Sequence, residues 1–212
     1  MKFERLVVDI DTNCYVVYDE DTLEAIIIDP GHNSKKIISF IDKNRLMPRE
    51  ILLTHCHYDH IRAVEELKEL YRCSVAIHKN DAKGLKDPKI NLSKKGLKKP
   101  ISIIADKVLL DKSVIKVGNV GLRVIHTPGH TPGSICLKVK NEDIIFTGDT
   151  IFADGVGRWD LEGGNESKMK STLINKVSKW EDKIKIYPGH GESETMEYIG
   201  RKNREFLFII GK

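Results

Sequence analysis

The run His55-Cys56-His57-Tyr58-Asp59-His60 places three imidazoles and a carboxylate within six residues, directly behind the apolar segment Ile51-Leu52-Leu53. That apolar segment reads as a buried strand within Arg49 to Thr54, and Ile61, Val64, Leu67 and Leu70, at three-residue steps, read as one face of a following helix. A strand-to-helix turn therefore has to carry all four polar groups. Side chains alternate along an extended segment, so His55 and His57 point to one side, while Asp59 and His60, beyond the bend, face a point beside them. Imidazole nitrogen and carboxylate oxygen are good ligands for Zn²⁺ and similar divalent cations.

The remaining pattern surrounds this turn with alternating blocks. Leu6-Val7-Val8, Cys14 to Tyr18 and Ala25 to Ile28 are short β-branched or aromatic runs, which predict a β-meander. Asp29-Pro30-Gly31 ends the third strand, and Ser34 is the expected N-cap of a helix to about Leu46 with Ile37, Ile38, Phe40 and Ile41 on its apolar face. Ser74 to His78 reads as a strand, Asn80 as the start of a short helix, and Asp87 to Pro100 as a mobile, Lys-rich loop. From Lys107 to Phe146 short apolar runs punctuated by Gly118-Asn119, Gly121, Pro128-Gly129 and Asn141-Glu142-Asp143 predict a second set of hairpins. A helix over Glu166 to Trp180, a strand over Ile184 to Tyr187 and a final helix over Glu194 to Phe208 complete the chain. Strands followed by two helices thus occur twice. Two sheets, each covered outside by helices, would bury both sets of strands in one 212-residue α/β domain, an αββα sandwich.

A centre holding two metals needs roughly six or seven donors, so others must join the run. His130 lies in Thr127-Pro128-Gly129-His130-Thr131-Pro132-Gly133, Asp149 in Thr147-Gly148-Asp149-Thr150 and His190 in Pro188-Gly189-His190-Gly191. Each follows an expected strand and is flanked by Gly or Pro, which permits a tight turn and close backbone approach. A lone histidine is usually an ordinary core or surface residue, but five of the eight histidines gather in such turns, and together they indicate a metal site. His32, His78 and His126 are read as non-ligating. Cys56, between two candidate ligands, faces away from them by alternation and reads as a small buried residue.

The 35 Lys and Arg nearly balance 31 Asp and Glu, for a formal net charge of +4, so no nucleic-acid partner is expected. The local excess at Lys86, Lys89, Lys94, Lys95, Lys98 and Lys99 reads as a solvated loop. The first residues lack an apolar core and a cleavage site, no apolar run matches a bilayer, and the four cysteines are scattered without framework spacing. A cytoplasmic protein acting on a small-molecule substrate, with no membrane partner, is expected; composition leaves the oligomeric state open.

On these residues the chain resembles the metallo-β-lactamase superfamily, whose signature is HxHxDH followed by a distant His, a bridging Asp and a last His. The resemblance implies that His55, His57 and His130 hold one metal, that Asp59, His60 and His190 hold the second, and that Asp149 bridges them. Zinc is the implied metal, with iron or manganese as alternatives. Asp29, in a strand-Asp-x-Gly element, resembles the family's carboxylate that orients a ligand from behind. Two cations sharing a water lower its pKa from about 15.7 towards neutrality, so hydrolysis would need no side-chain nucleophile, and Asp59 would relay a proton.

Gly148-Asp149-Thr150-Ile151-Phe152 and Gly157-Arg158-Trp159-Asp160-Leu161-Glu162-Gly163-Gly164 resemble the glyoxalase II-related hydrolases, which implies thioester or ester cleavage. Full-length glyoxalase II carries a C-terminal helical domain, whereas about twenty residues follow His190 here, so the likeness is to short single-domain relatives. Arg158 and Asp160 serve either as substrate contacts or as an ion pair stitching the Gly-rich loop. Where the family has Gly after its HxHxDH, this chain has Ile61-Arg62-Ala63, with Arg62 expected to point outward. The rival within the fold is a mononuclear-iron persulfide dioxygenase, whose His-Cys-His segment His55-Cys56-His57 resembles. Lactonase, RNA-processing nuclease, exported β-lactamase and a closed structural metal module are weaker readings, the last because seven donors for two ions leave coordination positions open.

Overall fold

The computed structural model describes residues 1–212. Strands β1 (Lys2–Val7), β2 (Asn13–Tyr18) and β3 (Glu24–Ile28) form the expected antiparallel meander. Strands β4 (Met47–Leu53), β5 (Ser74–His78) and β6 (Lys107–Leu109) extend it in parallel, giving a sheet in the order β1-β2-β3-β4-β5-β6. Parallel neighbours need crossover connections; α1 (Ser34–Lys43) and α2 (Val64–Tyr71) supply the first two, and the third contains α3 (Ala82–Lys86). The second sheet contains β7 (Val114–Val117), β8 (Val120–His126), β9 (Ile135–Val139), β10 (Ile144–Gly148), β11 (Lys185–Pro188) and β12 (Glu194–Thr195), in the order β12-β11-β10-β9-β8-β7. Its one parallel pair, β10 with β11, is connected through α5 (Glu166–Asn175).

Central strands are buried on both faces, which is why they read as unbroken apolar runs. Tyr15, Val17, Ile26, Ile28 and Leu52 meet Leu122, Val124, Leu137 and Phe146 between the sheets. Residues of opposite parity, such as Val16, Ile27, Ile51 and Leu53, pack outward on Ile37, Ile41, Val64 and Leu67 of α1 and α2. On the far side Cys136, Ile145 and Ile186 pack on Met169 and Leu173 of α5 and on Ile199 and Phe206 of α6 (Met196–Lys202) and α7 (Arg204–Ile210). The four layers are helix, sheet, sheet and helix. No helix is long and apolar enough to cross a membrane.

Several boundaries differ from expectation. The cap of α1 is Asn33, in the left-handed region at φ 46°, whose side chain accepts from Lys36 N; Ser34 is the first helical residue. After the His run the chain makes a 3₁₀ turn before α2, and Leu70 lies outside the buried face at 54% exposure. β6, within the segment assigned to the second set of strands, joins the first sheet. The helix over 166–180 ends at Asn175, followed by a 3₁₀ turn. The last helix is two, because Asn203 caps α7 through Phe206 N while its amide donates to the carbonyls of Phe152 and Gly155. Asp87–Pro100 is not a plain loop: it holds the short helix α4 (Ser93–Gly96), and Asn91 and Ser93 are fully buried. The carbonyl of Asn91 accepts from Tyr58 N at 2.9 Å, which ties this segment to the His run. Its lysines 94, 95, 98 and 99 are exposed, as expected.

Phe146 is fully buried between the sheets, with its ring centroid 5.4 Å from Phe3 and 4.9 Å from Tyr15. Phe146→Ala is expected to cost about 3–5 kcal/mol in denaturant unfolding; a loss below about 1 kcal/mol would contradict this packing.

Candidate metal centre

The seven candidate donors hang from strand ends of both sheets. His55, His57, Asp59 and His60 follow β4, while His130, Asp149 and His190 follow β8, β10 and β11 respectively. Their ligand atoms converge in two triads, His55 with His57 and His130, and Asp59 with His60 and His190. Asp149 stands between them: Oδ1 lies 3.4 Å from His60 Nε2, and Oδ2 lies 3.5 Å from both His130 Nε2 and His190 Nε2. His57 Nδ1 is 2.8 Å from His130 Nε2, and His60 Nε2 is 3.2 Å from His190 Nε2. Asp29 adds a further close grouping with His55 and His60.

Four of the five rings are held by one nitrogen so that the other points inward. His60 Nδ1 faces Asp29 Oδ2 at 3.2 Å, and His190 Nδ1 faces Asp11 Oδ1 at 3.1 Å. His130 Nδ1 donates to the carbonyl of Arg158 at 2.7 Å, which turns Nε2 inward. His55 Nδ1 meets Thr54 Oγ1 at 3.1 Å. Such outer partners set tautomer and orientation of metal-binding histidines. Asp29 itself is fixed: Thr54 donates to it from both N and Oγ1, at a left-handed φ of 49°.

The donors fit cations. His55 Nε2 and Asp149 Oδ1 are buried without a hydrogen-bond partner, and unpartnered buried polar atoms are costly unless another group meets them. Donors on a tetrahedral zinc at bonds of about 2.0–2.1 Å stand about 3.3 Å apart, close to the separations between the inward atoms. Close packing of backbones keeps the loops in place: a Cβ on Gly31 would strike the carbonyl oxygen of Asp59, and one on Gly157 that of Asp149.

The two triads differ in protonation. Burial, with the neighbouring rings adding, pushes His55 well below the ordinary imidazole range, and burial and His130 bring His57 down to about 3. Burial also opposes charge on His60, but Asp149, Asp59 and Asp29 overcome it and lift this ring to about 9. His190 likewise rises to about 11 against burial, through Asp149 and Asp59. Burial raises the carboxyls of Asp59 and Asp149, yet the histidines win and hold Asp59 at about 2 and Asp149 well below the usual range.

Asp11 and Asp81 were not singled out in the sequence. Asp81 is 1% exposed and accepts from Cys56 N, Thr131 Oγ1 and Gly133 N, so it joins the His55–His60 turn to the His130 turn. Neither belongs to a motif; only Asp81's closeness to His78 and an expected short helix marked its region. Cys56 is buried in the outer core of the first sheet, as expected. Arg62 pairs with Asp9 at 3.0 Å, away from the donors. Arg158 and Asp160 form an exposed ion pair at 2.9 Å. His78 and His126 stack on each other at 4.1 Å, and His32 lies beside Arg62, so none of the three joins the donors. A cavity of about 620 Å³ opens over the site, with Tyr58, Leu92, Phe152, Val156 and Leu161 as its apolar wall and Asp11, Asp154 and Arg158 at its rim.

The metallo-beta-lactamase superfamily pattern matches residues 7–208. The chain is similar to hydroxyacylglutathione hydrolase GloC of Haemophilus influenzae, 30% identical over 94% of this chain and 93% of the relative. Among solved structures it is similar to the BLEG-1 B3 metallo-beta-lactamase, with a TM-score of 0.89 and 32% identity over 96% of this chain and 98% of that one. It is also similar to ETHE1 from Myxococcus xanthus, with a TM-score of 0.82 and 27% identity over 100% of this chain and 86% of that one.

Metal uptake is expected to show this difference in protonation. At pH 7 His55 and His57 are already neutral, whereas His60 and His190, with raised pKa values, must each lose a proton to a cation. Affinity at Asp59, His60 and His190 should therefore rise with pH between 6 and 8, while His55 and His57 release no proton on metal uptake. A pH-stat zinc titration checks this, and equal proton release by both cations would contradict it.

Proposed function

The chain belongs to the metallo-beta-lactamase superfamily, and on that premise we propose that it is a hydrolase of small-molecule thioesters or esters that works with two divalent cations. The observation that carries this reading is Asp149, one carboxylate set between two triads of donors. A shared carboxylate suits paired cations of the kind that serve hydrolytic enzymes. The donor set favours zinc, and iron or manganese also accept imidazole and carboxylate. The similarity to a hydroxyacylglutathione hydrolase over nearly the full length of both chains supports a thioester.

When bound, the cations would polarise the substrate carbonyl and acidify water. The chain's own residues would do the rest. Asp11, Asp29, Thr54 and the carbonyl of Arg158 hold four rings in register. Asp59, with its side chain 30% exposed to the cavity, would take up a proton and pass it to the leaving group. Tyr58, Leu92, Phe152, Val156 and Leu161 would shield the acyl group from water. Cys56, turned into the core, offers no thiol nucleophile.

A second reading, persulfide oxidation at a single iron, is favoured by His55-Cys56-His57 and by the similarity to ETHE1. It would leave Asp59, His60 and His190 without a ligand role. The test is a panel of thioesters, esters, lactones and β-lactams, with oxygen uptake on glutathione persulfide measured in parallel on protein of known metal content. Thioester or ester turnover is expected to dominate and to vanish in His130→Ala. Oxygen uptake at comparable rates would overturn the hydrolase reading. Asp11→Ala, which frees His190 Nδ1, is expected to lower metal affinity or turnover about 10–100-fold; unchanged values would remove Asp11 from the site.

A further inference from the structure

The helices cover only part of the second sheet's outer face. Cys136, Ile145, Ile186 and Ile125 lie under them, but the outward residues at the other end of β7, β8 and β9 face solvent. There Lys112, Lys116, Arg123, Lys138 and Lys140 line an open cavity of about 780 Å³ that contains no acidic residue. None of the five pairs with a carboxylate, unlike Lys107 or Lys183 elsewhere. They are five of the chain's 35 Lys and Arg, and no carboxylate in the lining offsets them. Strand pairing assembles the cluster from residues scattered between 112 and 140.

The register gives the cluster a shape. Arg123 stands directly opposite Lys138, and Val114 opposite Arg123, in one row across three strands. In the next row Gly121 lies between Lys116 on β7 and Lys140, the residue just past β9, whose N donates to the Gly121 carbonyl. Strands lie about 4.8 Å apart and outward neighbours along a strand about 6.8 Å, so Gly121 leaves a depression rimmed by four cations. Like charges directly opposed in a sheet are destabilising, and an anion in the depression would relieve the repulsion. No aromatic ring lines the cavity, so nothing there stacks on a base. Its volume falls in the small-molecule range of about 300–1,000 Å³.

We propose that this depression binds a linear phosphate chain of three or more phosphoryl groups, separately from the metal centre. Phosphate oxygens match cations recruited from three strands, and recognition through charge alone leaves the rest of the ligand unspecified. The test is calorimetric titration of metal-loaded protein with tripolyphosphate at physiological salt, with ATP as a second arm. One site is expected, weakening as salt rises. Arg123→Glu with Lys138→Glu should weaken it at least tenfold, as should Gly121→Val. The latter keeps every charge and fills the depression; the backbone there is not left-handed and a Cβ meets only ordinary contacts, the nearest at 3.5 Å, so the unfolding midpoint should hold. His130→Ala should leave binding intact, so failure here is distinct from failure of the hydrolase reading. Equal binding of ATP would identify a nucleotide's triphosphate tail as sufficient, and binding of tripolyphosphate alone a free chain. Binding unchanged in both groove variants, binding lost in His130→Ala, or preference for duplex RNA over tripolyphosphate would each overturn the proposal.

Discussion

Burying the carboxylate of Asp149 is the constraint to which the rest of the site answers. A buried charge is expensive without partners, and Asp149, 8% exposed, meets the imidazoles of His60, His130 and His190. Those rings compensate it only if they point inward, so each needs an outer anchor: Asp29, the carbonyl of Arg158 and Asp11. The anchors in turn lie on loops that must not drift. Gly31 and Gly157 let those loops touch the backbone of Asp59 and Asp149, and Asp81 binds the His55–His60 turn to the His130 turn. Removing any outer member would be felt inside through this sequence of contacts.

Much of the fold was legible because both faces of the central strands are apolar, and such runs stand out between polar turns. Ile26, Ile27 and Ile28 face alternately into different cores, yet all three are buried. The segment Asp87–Pro100 and the break in the last helix share a cause, which is that polar residues there are interior rather than surface. Asn91, Ser93 and Asn203 are fully buried, each with its side chain bonded to backbone. Asn203 looks like an unremarkable helical position until the carbonyls of Phe152 and Gly155 are brought to its amide.

The candidate site was legible for a related reason. Six consecutive residues hold four donors, and Gly or Pro marks the turns of His130, Asp149 and His190. Asp11 and Asp81 carry no such mark, because a single aspartate in a turn has the same local appearance whether or not it orients a ring. Asp81 acquires meaning only from Thr131 and Gly133, some fifty residues away. Net charge misled in the same manner. Its near balance conceals one cavity that holds Asp11 and Asp154 and another whose charged lining residues are all basic.

His55, His57, Asp59 and His60 belong to the first sheet, whereas His130, Asp149 and His190 belong to the second. A cation held by His55, His57 and His130, or by Asp59, His60 and His190, would therefore work as a rivet through the seam of the sandwich. Most of that seam is closed by apolar contact, which is short-ranged and tolerates slight sliding. A rivet at one end would suppress sliding and splaying together, so the sheets' mutual alignment becomes part of the coordination chemistry. Strain applied to the seam would then be felt as a change in metal grip, and the cation would report on how well the two halves of the molecule are assembled.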